Sequence, residues 1–254
     1  MNISSFSRKE LTSGLERAKQ SRTNPSDPVR ILFSPTRINS ENIEDVFRIY
    51  SGIEKDDFDT VIIVESHPGS AEKKLPMPSF KSVATPLGEV LANDKLRNDF
   101  CDEDDDFFIN DDAFDEEVSL YDQLMVLQCA LDDFTVLSIQ ITDENSFIVK
   151  ELAFAIEEIL ASRNALIVFC CDLDVSHADE LSTLMSYYEK DNMSGLMNIL
   201  NSGDSSIEGV GSFIAGLLVA KKWGLKVSFN TGKPAFGNNL ISGFAEMQRQ
   251  PIFG

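Results

Sequence analysis

The sequence predicts a single-domain α/β fold in which a mixed, mostly parallel central sheet lies between layers of helices. Apolar runs of strand length recur along the chain, and segments with helical periodicity separate them. The 254 residues, 43% of them hydrophobic, are enough to bury one sizeable core. Strands that alternate with helices form βαβ units, which place parallel strands side by side.

Five runs are rich in Val, Ile, Leu and Phe and lack the polar alternation of a strand that faces water on one side. Such runs are typical of strands that are covered on both faces. They comprise residues 29–33, 60–64, 135–141, 165–170 and 225–229. We predict that these segments form the central sheet.

Apolar side chains recur on one face with the period of an α-helix in three later segments. Their members are Leu120, Leu124, Leu127 and Leu131; Ile148, Leu152, Ala155, Ile156 and Ile159; and Ile207, Val210, Ile214 and Leu217. Near the N-terminus, Leu11, Leu15 and Ala18 predict an amphipathic helix, which the prolines of residues 24–28 end. We therefore predict an N-terminal helix and linker over residues 1–28 and an α/β domain over residues 29–254.

The charge balance of the chain bears on its partners. Asp and Glu number 42 against 22 Lys and Arg, so the formal net charge is −20. Nucleic acids and anionic membrane surfaces bind clustered Lys and Arg, whereas the largest charge cluster of this chain is acidic. We therefore expect no nucleic acid and no membrane among its partners.

The sequence also predicts a cytoplasmic protein. Its first residues carry mixed charge without the apolar run of a signal peptide, and no later stretch approaches the roughly 18 apolar residues of a membrane span. The four cysteines form no CxxC pair, and Cys170 and Cys171 are adjacent. Free, mostly buried thiols in a reducing compartment are the expectation.

Residues 99–117 hold 11 Asp and Glu and neither Lys nor Arg. We expect a solvated loop that is anchored to the body of the protein by its aromatic side chains. These are Phe100, Phe107, Phe108 and Phe114. A calcium site is the alternative, but an EF-hand loop counted from Asp102 places Phe107 at the turn glycine and Ala113 at the bidentate glutamate.

The chain has two histidines, and each follows a predicted strand. His67 comes directly after the second strand, and His177 comes shortly after the fourth. Because open α/β sheets bind ligands at the carboxyl ends of their strands, we expect both imidazoles to face one crevice. Asp174 could orient the ring of His177 or share a metal with it. The alternative is that each imidazole only hydrogen-bonds a loop.

Common catalytic signatures are absent from the sequence. It contains no G-x-S-x-G elbow and no H-E-x-x-H pair, and the glycines at 209 and 211 are not followed by the third glycine of a dinucleotide loop. A site with His67, His177 and either Asp174 or a glutamate remains possible for Fe(II) or Zn(II). The adjacent cysteines lie in an apolar run, which favours a place in the core over a role as ligands.

Several motifs, in order along the chain, resemble the Memo-like proteins, relatives of the LigB-type class III extradiol dioxygenases. They are VIIVESH (61–67), like a strand followed by the family's Gly-Pro-Ser-His; ATPLGEV (84–90); EVSL (117–120), like Glu-His-Ser-Leu; DVSH (174–177); and FNTG (229–232) with ISGFA (241–245). The resemblance runs from about Val29 to Met247. It implies a Memo/LigB-like fold and a metal site at the carboxyl ends of the strands.

The sequence departs from the family pattern at the implied metal site. Thr36 stands where the first strand of the family ends in Pro-His-Ala-Gly, and Val118 replaces the histidine of Glu-His-Ser. The family's Cys-Gly pair has no cysteine counterpart near residues 209–211. Of the implied metal ligands, His67 and His177 remain, so Fe, Cu or Zn is expected to bind weakly if at all.

Two functions follow from the resemblance and its departures. The first is a crevice that binds a small molecule or peptide without turnover. The second is a metal-dependent oxidoreductase with non-haem Fe or Cu, in which His67 and His177 bind the metal and His177 and Asp174 are catalytic. The predicted lining of the crevice is Ser66, Thr36, Glu117, Val118 and Ser176.

Overall fold

The structure, a computed structural model, describes residues 2–21, 28–68, 75–114, 118–230 and 240–247. Its strands fall into one large sheet and one small sheet. They are β1 (Val29–Ser34), β2 (Thr60–Ser66), β3 (Leu75–Met77), β4 (Ser82–Thr85), β5 (Gly88–Ala92), β6 (Phe107–Ile109), β7 (Thr135–Ile141), β8 (Ala165–Cys170), β9 (Leu173–Asp174), β10 (Lys226–Asn230) and β11 (Leu240–Glu246).

The large sheet has the strand order β10-β11-β1-β8-β2-β7-β5-β4, and β9 pairs with β11 beside it. Strands β1, β8, β2, β7 and β5 run parallel to one another. At one edge β11 pairs antiparallel with β1 and β10 pairs antiparallel with β11, and at the other edge β4 pairs antiparallel with β5. Strands β3 and β6 form the small parallel sheet. The predicted mixed, mostly parallel sheet is confirmed.

Helices cover both faces of the large sheet. They are α1 (Arg8–Ser21), α2 (Ile43–Tyr50), α3 (Asp94–Glu103), α4 (Leu120–Ala130), α5 (Ser146–Leu160), α6 (Ala178–Glu189), α7 (Met193–Ser202) and α8 (Val210–Lys222). Apolar side chains of α1, α2 and α4 form the core on one face, and those of α3, α5, α6, α7 and α8 form the core on the other. The chain is therefore a single three-layer α/β domain.

Helix α5 illustrates how the sequence specifies an element. The Asn145 side chain accepts hydrogen bonds from the backbone N–H groups of Phe147 and Ile148, which satisfies donors that a helix start leaves unpaired. The buried face includes Leu152 and Ile156, at the predicted helical spacing. Phe147 and Phe154 lie seven residues apart on the exposed side, where they are 64% and 51% exposed.

Helix α8 packs closely on the sheet. A Cβ atom at Gly216 would lie 2.5 Å from a ring carbon of Phe33 and 2.8 Å from one of Phe169. Only glycine fits this approach, which brings the helix against β1 and β8. As a result, the first turn of α8 lies directly over the carboxyl end of β8, where a Cβ at Gly209 would be 2.9 Å from the Cys170 carbonyl oxygen.

The acidic segment corrects one expectation. Residues 99–103 belong to α3, residues 107–109 form β6, and Asp111–Ala113 form a 3₁₀ turn, so much of the predicted loop is regular structure. The expected anchoring by Phe100 and Phe107 is found, since both rings are buried with their centroids 5.1 Å apart. The difference arises because β6 pairs with β3, and no local sequence pattern indicates this pairing.

Helix α1 is present as predicted, and Leu11, Leu15 and Ala18 are buried in the core beside α2 and α4. Residues 24–27 of the predicted linker lie outside the described residues, and the division of the chain at residue 28 stays a prediction. The four cysteines are free thiols, and Cys170 and Cys171 are buried. Within the described ranges, no helix is long and apolar enough to cross a membrane.

Candidate functional site

Strands β1, β8, β2 and β7 are neighbours and run parallel, so their carboxyl ends meet at one edge of the sheet. We call the residues that follow these ends the carboxyl edge. It consists of residues 35–37, 66–67, 142–144 and 171–172. His67 and Thr36, two residues expected at the site, lie on this edge.

A row of buried polar side chains lies directly beneath the carboxyl edge, on the sheet face that α4 covers. The pairing register aligns Ser34 with Cys170, Cys170 with Glu65, and Glu65 with Gln140. The Gln140 side chain is fully buried, and neither polar atom of its amide has a hydrogen-bond partner in the described structure. Polar side chains in a row of otherwise apolar strands mark this level of the sheet as different from the core below it.

The Glu65 carboxylate occupies the centre of this row. It accepts hydrogen bonds from the backbone N–H of Ser119, at 2.7 Å, and from the Ser119 hydroxyl. Burial raises the pKa of Glu65 above its usual value of 4.5, although the Ser119 hydrogen bonds and the charges of His67 and Arg37 act in the opposite direction. Glu65 therefore joins β2 to the start of α4.

His67 lies above Glu65. Its backbone N–H donates to the Ile141 carbonyl oxygen at 2.8 Å, which fixes the chain as it leaves β2. The imidazole Nδ1 is 4.0 Å from Glu65 Oε1, and 43% of the His67 side chain is exposed. The ring is thus available to solvent beside a buried carboxyl group.

The segment after β1 is held by two side chains of α4. The Gln123 amide oxygen accepts hydrogen bonds from the Ser34 hydroxyl at 2.9 Å and from the Tyr50 hydroxyl at 2.5 Å. Its amide nitrogen donates to the Pro35 carbonyl oxygen at 2.8 Å. The Asp122 carboxylate accepts from the Ile38 N–H at 2.8 Å, and burial raises its pKa. These bonds fix the path of residues 34–38.

Thr36, which stands at the position of an implied metal ligand, is bound to Asp172. Its backbone N–H donates to Asp172 Oδ1 at 2.8 Å, and its hydroxyl donates to Asp172 Oδ2. The N–H of Asp172 in turn donates to the Glu208 carbonyl oxygen at 2.9 Å. Thr36 therefore links the end of β1 to the end of β8.

Val118, at the position where the resemblance implies a histidine, is only 1% exposed. It packs in the apolar core on the α4 side of the sheet together with Leu120 and Leu124. Its surroundings are therefore apolar, in contrast to those of the neighbouring Ser119.

The first turn of α8 contacts another part of the carboxyl edge. The N–H of Gly211 donates to Glu144 Oε1 at 2.8 Å, and the N–H of Ser212 donates to the Ser66 hydroxyl at 3.0 Å. These donors are ones that a helix leaves unpaired at its start, and here side chains of the protein satisfy them. Ser66 is thus part of the internal support of the edge.

His177 ends a 3₁₀ turn just before α6 and is partly buried. It lies close enough to Glu180 to affect that carboxyl group. Burial acts to raise the pKa of Glu180, but hydrogen bonds from Ser205 and Ser206 and the charge of His177 lower it overall. Ser176 is exposed beside it.

The expected common pocket for the two imidazoles stays a prediction. His67 lies next to Glu65 on β2, and His177 lies next to Glu180 on α6. Glu117 and the Asp174 side chain lie outside the described residues. Of the expected residues, the described contacts join Ser66 to α8 and Thr36 to β8.

The residues present do not fit the metal site that the family resemblance implies. Among the described residues, no group of three or more His, Cys, Asp and Glu side chains is arranged to hold a metal ion. The Thr36 hydroxyl is bound to Asp172, and Val118 has no donor atom. Neither Thr36 nor Val118 therefore supplies the metal ligand that the resemblance implies at its position.

The fold and the site together describe an α/β protein that has a row of buried polar side chains under the carboxyl ends of its parallel strands. A family model described as Memo-like protein matches residues 8–231, most of the chain. The protein therefore belongs to the Memo-like family, and the resemblance inferred from its motifs is confirmed. A comparison with curated proteins found no matching relative.

Sequence reasoning missed the side chains that organise the edge. Glu65 belongs to the VIIVESH motif, and a charged residue within an apolar strand is itself a signal of a special position. Asp172 and Gln123 gave no local signal, because their partners are 136 and 89 residues away in the chain.

The buried Glu65 carboxyl predicts a pH dependence of stability. Its raised pKa means that the folded state favours the protonated form, so this contribution to stability is fully present below about pH 4.5 and is lost as the pH rises through the raised pKa. A Glu65→Gln variant cannot ionise, and its amide oxygen still accepts from Ser119. We expect its stability relative to the parent to increase between pH 4.5 and pH 8, as measured by urea unfolding.

Glu158→Gln, on the exposed side of α5, is the matched control and should show no such gain. Parallel pH profiles for the Glu65→Gln variant and the parent would contradict the assignment of Glu65 as a buried titrating group.

Proposed function

We propose that this Memo-like protein binds a small molecule or a peptide at its carboxyl edge without metal chemistry. The observation that carries the proposal is the pairing of Thr36 with Asp172 through both the backbone N–H and the hydroxyl of Thr36. A side chain that is committed in this way supports the edge and is not free to serve as a ligand of a metal.

Two further observations support the proposal. Val118 is packed in apolar core, so the second implied histidine position is also used for structure. The start of α8 is satisfied by Glu144 and Ser66, which leaves those N–H groups with partners inside the protein. Thr36 and Val118, two of the positions that the resemblance associates with metal binding, thus make structural contacts instead.

Exposed polar groups remain for a ligand. Arg37 is exposed, and its guanidinium makes no hydrogen bond or ion pair within the described ranges, although its charge acts on Glu65 and Asp122. The His67 imidazole is also partly exposed, and its charge, like that of Arg37, acts on Glu65. A guanidinium and an imidazole favour a ligand with hydrogen-bond acceptors, such as a carboxylate or a peptide carbonyl.

The second candidate is a metal-dependent oxidoreductase that uses His67, His177 and a nearby carboxylate. The observation in its favour is the 4.0 Å distance between His67 Nδ1 and Glu65 Oε1, which places a carboxylate beside an imidazole. The two candidates differ in whether a metal binds at stoichiometric concentration.

Imidazole NMR distinguishes the two candidates, since the chain has only two histidines to assign. We expect stoichiometric Zn²⁺ to leave both sets of imidazole signals unshifted. Small carboxylates and short peptides, titrated in the presence of EDTA, should include a ligand that shifts the His67 signals. An Arg37→Gln variant should bind that ligand more weakly than the parent does. The control is Arg17→Gln, at an exposed position of α1.

Shifts of both imidazoles at one equivalent of Zn²⁺ would overturn the proposal in favour of a metal centre. A ligand that shifts His67 only when metal is added would do the same.

Restoring the implied histidines tests whether the edge has been given a structural role. In the double variant Thr36→His with Val118→His, the first change removes the hydroxyl bound to Asp172, and the second places an imidazole in apolar core. An unpartnered buried polar group costs about 1–3 kcal/mol, so we expect Val118→His alone to lower the free energy of unfolding by that amount. Urea unfolding measures the loss, and calorimetry measures metal uptake.

Arg37→His, which adds an imidazole at an exposed neighbouring position, is the matched control and should leave stability nearly unchanged. A double variant that keeps the parent's stability and binds Zn²⁺ stoichiometrically would show that the metal site had merely lost its donors.

A further inference from the structure

A groove of about 500 Å³ lies on the outer side of helices α5 and α8, near the turn between α6 and α7. It is separate from the carboxyl edge, because its lining on α8 comes from the last turns of the helix, whereas the first turn contacts the edge. The volume is within the range of pockets that hold small organic ligands. No role in the proposed function requires this groove.

The surface of the groove is largely apolar. Ala153 and Leu218 come from α5 and α8, and Phe154 and Met193 complete the apolar lining. Phe154 is 51% exposed, so a large aromatic surface faces solvent beside the groove. A ligand that covered this ring would remove apolar area from water, which favours binding by about 25 cal/mol per Å².

Three lysines border this apolar surface, and two of them have partners. Lys221 pairs with Asp191 at 3.4 Å, and Lys222 pairs with Glu157 at 3.0 Å. Lys150 forms no hydrogen bond or ion pair within the part of the chain that the structure describes. Glu151 also borders the groove. Lys150 is therefore the cation that is free to pair with a bound anion.

The charge of the whole chain narrows the ligand further. A formal net charge of −20 repels anions of high charge, so a polyphosphate or a nucleic acid is disfavoured at a single free lysine. A ligand with one negative charge and a long apolar part satisfies both the lysine and the apolar lining.

We infer that the groove binds a free aliphatic carboxylate of medium chain length. The alkyl chain lies over Ala153 and Leu218 between Phe154 and Met193, and the carboxylate pairs with the Lys150 ammonium group. This site is additional to the carboxyl edge, and it stands or falls independently of the function proposed there.

Calorimetric titration of the full chain with decanoate, below the concentration at which it forms micelles, tests the inference. We expect saturable binding at one site, weaker binding of decanol because it lacks the charge, and no saturable binding of acetate because it lacks the chain. Lys150→Gln should lower the affinity for decanoate by about fivefold, as expected for the loss of one exposed ion pair. Phe154→Ala should weaken it by about tenfold.

Lys95→Gln is the matched control, since Lys95 is an exposed lysine on α3 away from the groove. Its affinity for decanoate should equal that of the parent. Both Lys150 and Phe154 are exposed, and circular dichroism checks that their variants keep the parent's helix content.

Three results of the binding titrations would overturn the inference. They are the absence of saturable decanoate binding, equal affinities for decanoate and decanol, and unchanged affinity in the Lys150→Gln and Phe154→Ala variants. If decanoate shifts the His67 imidazole signals as it binds, the ligand lies at the carboxyl edge. That result would also overturn the assignment of the groove as the binding site.

Discussion

The buried carboxyl group of Glu65 is the interaction on which the architecture of the carboxyl edge depends. It accepts the backbone N–H and the hydroxyl of Ser119, and so it fixes the start of α4 against the end of β2. Once α4 is placed, its first turn presents Asp122 and Gln123 to the segment that leaves β1. A buried carboxyl group is expensive to leave unpaired, so this contact constrains β2, α4 and, through α4, the segment that follows β1.

The carboxyl edge differs from the metal site that the family resemblance implies. Donors and acceptors at the ends of β1, β2 and β8 bind one another: Thr36 binds Asp172, and Ser66 binds the first turn of α8. Such contacts preorganise the edge, and preorganisation is consistent with the proposed binding of a ligand by the groups left exposed. A metal centre would instead need several convergent donor atoms, each with a lone pair free to bind the metal.

The central strands and the long helices could be predicted from the sequence because their burial follows a local period. The run that becomes β8, for example, is buried at every position. The short strand pairs β3–β6 and β4–β5 form through contacts between segments that are distant or polar, so a local period does not indicate them. For that reason the sequence does not show that part of the acidic segment has regular secondary structure. At the site, the position of His67 followed from the end of β2, whereas the partner of Thr36 depends on how β1 and β8 align.

Thr36 and Asp172 form a structural pair that joins the ends of β1 and β8. A double-mutant cycle with Thr36→Val and Asp172→Ala measures this directly from the free energies of unfolding of the parent, both single variants and the double variant. Because a hydrogen bond to a charged group contributes about 1.5–3 kcal/mol, we predict a coupling energy of about that size. Free energies that add to within about 0.5 kcal/mol would contradict the claim, since independent residues behave in that way.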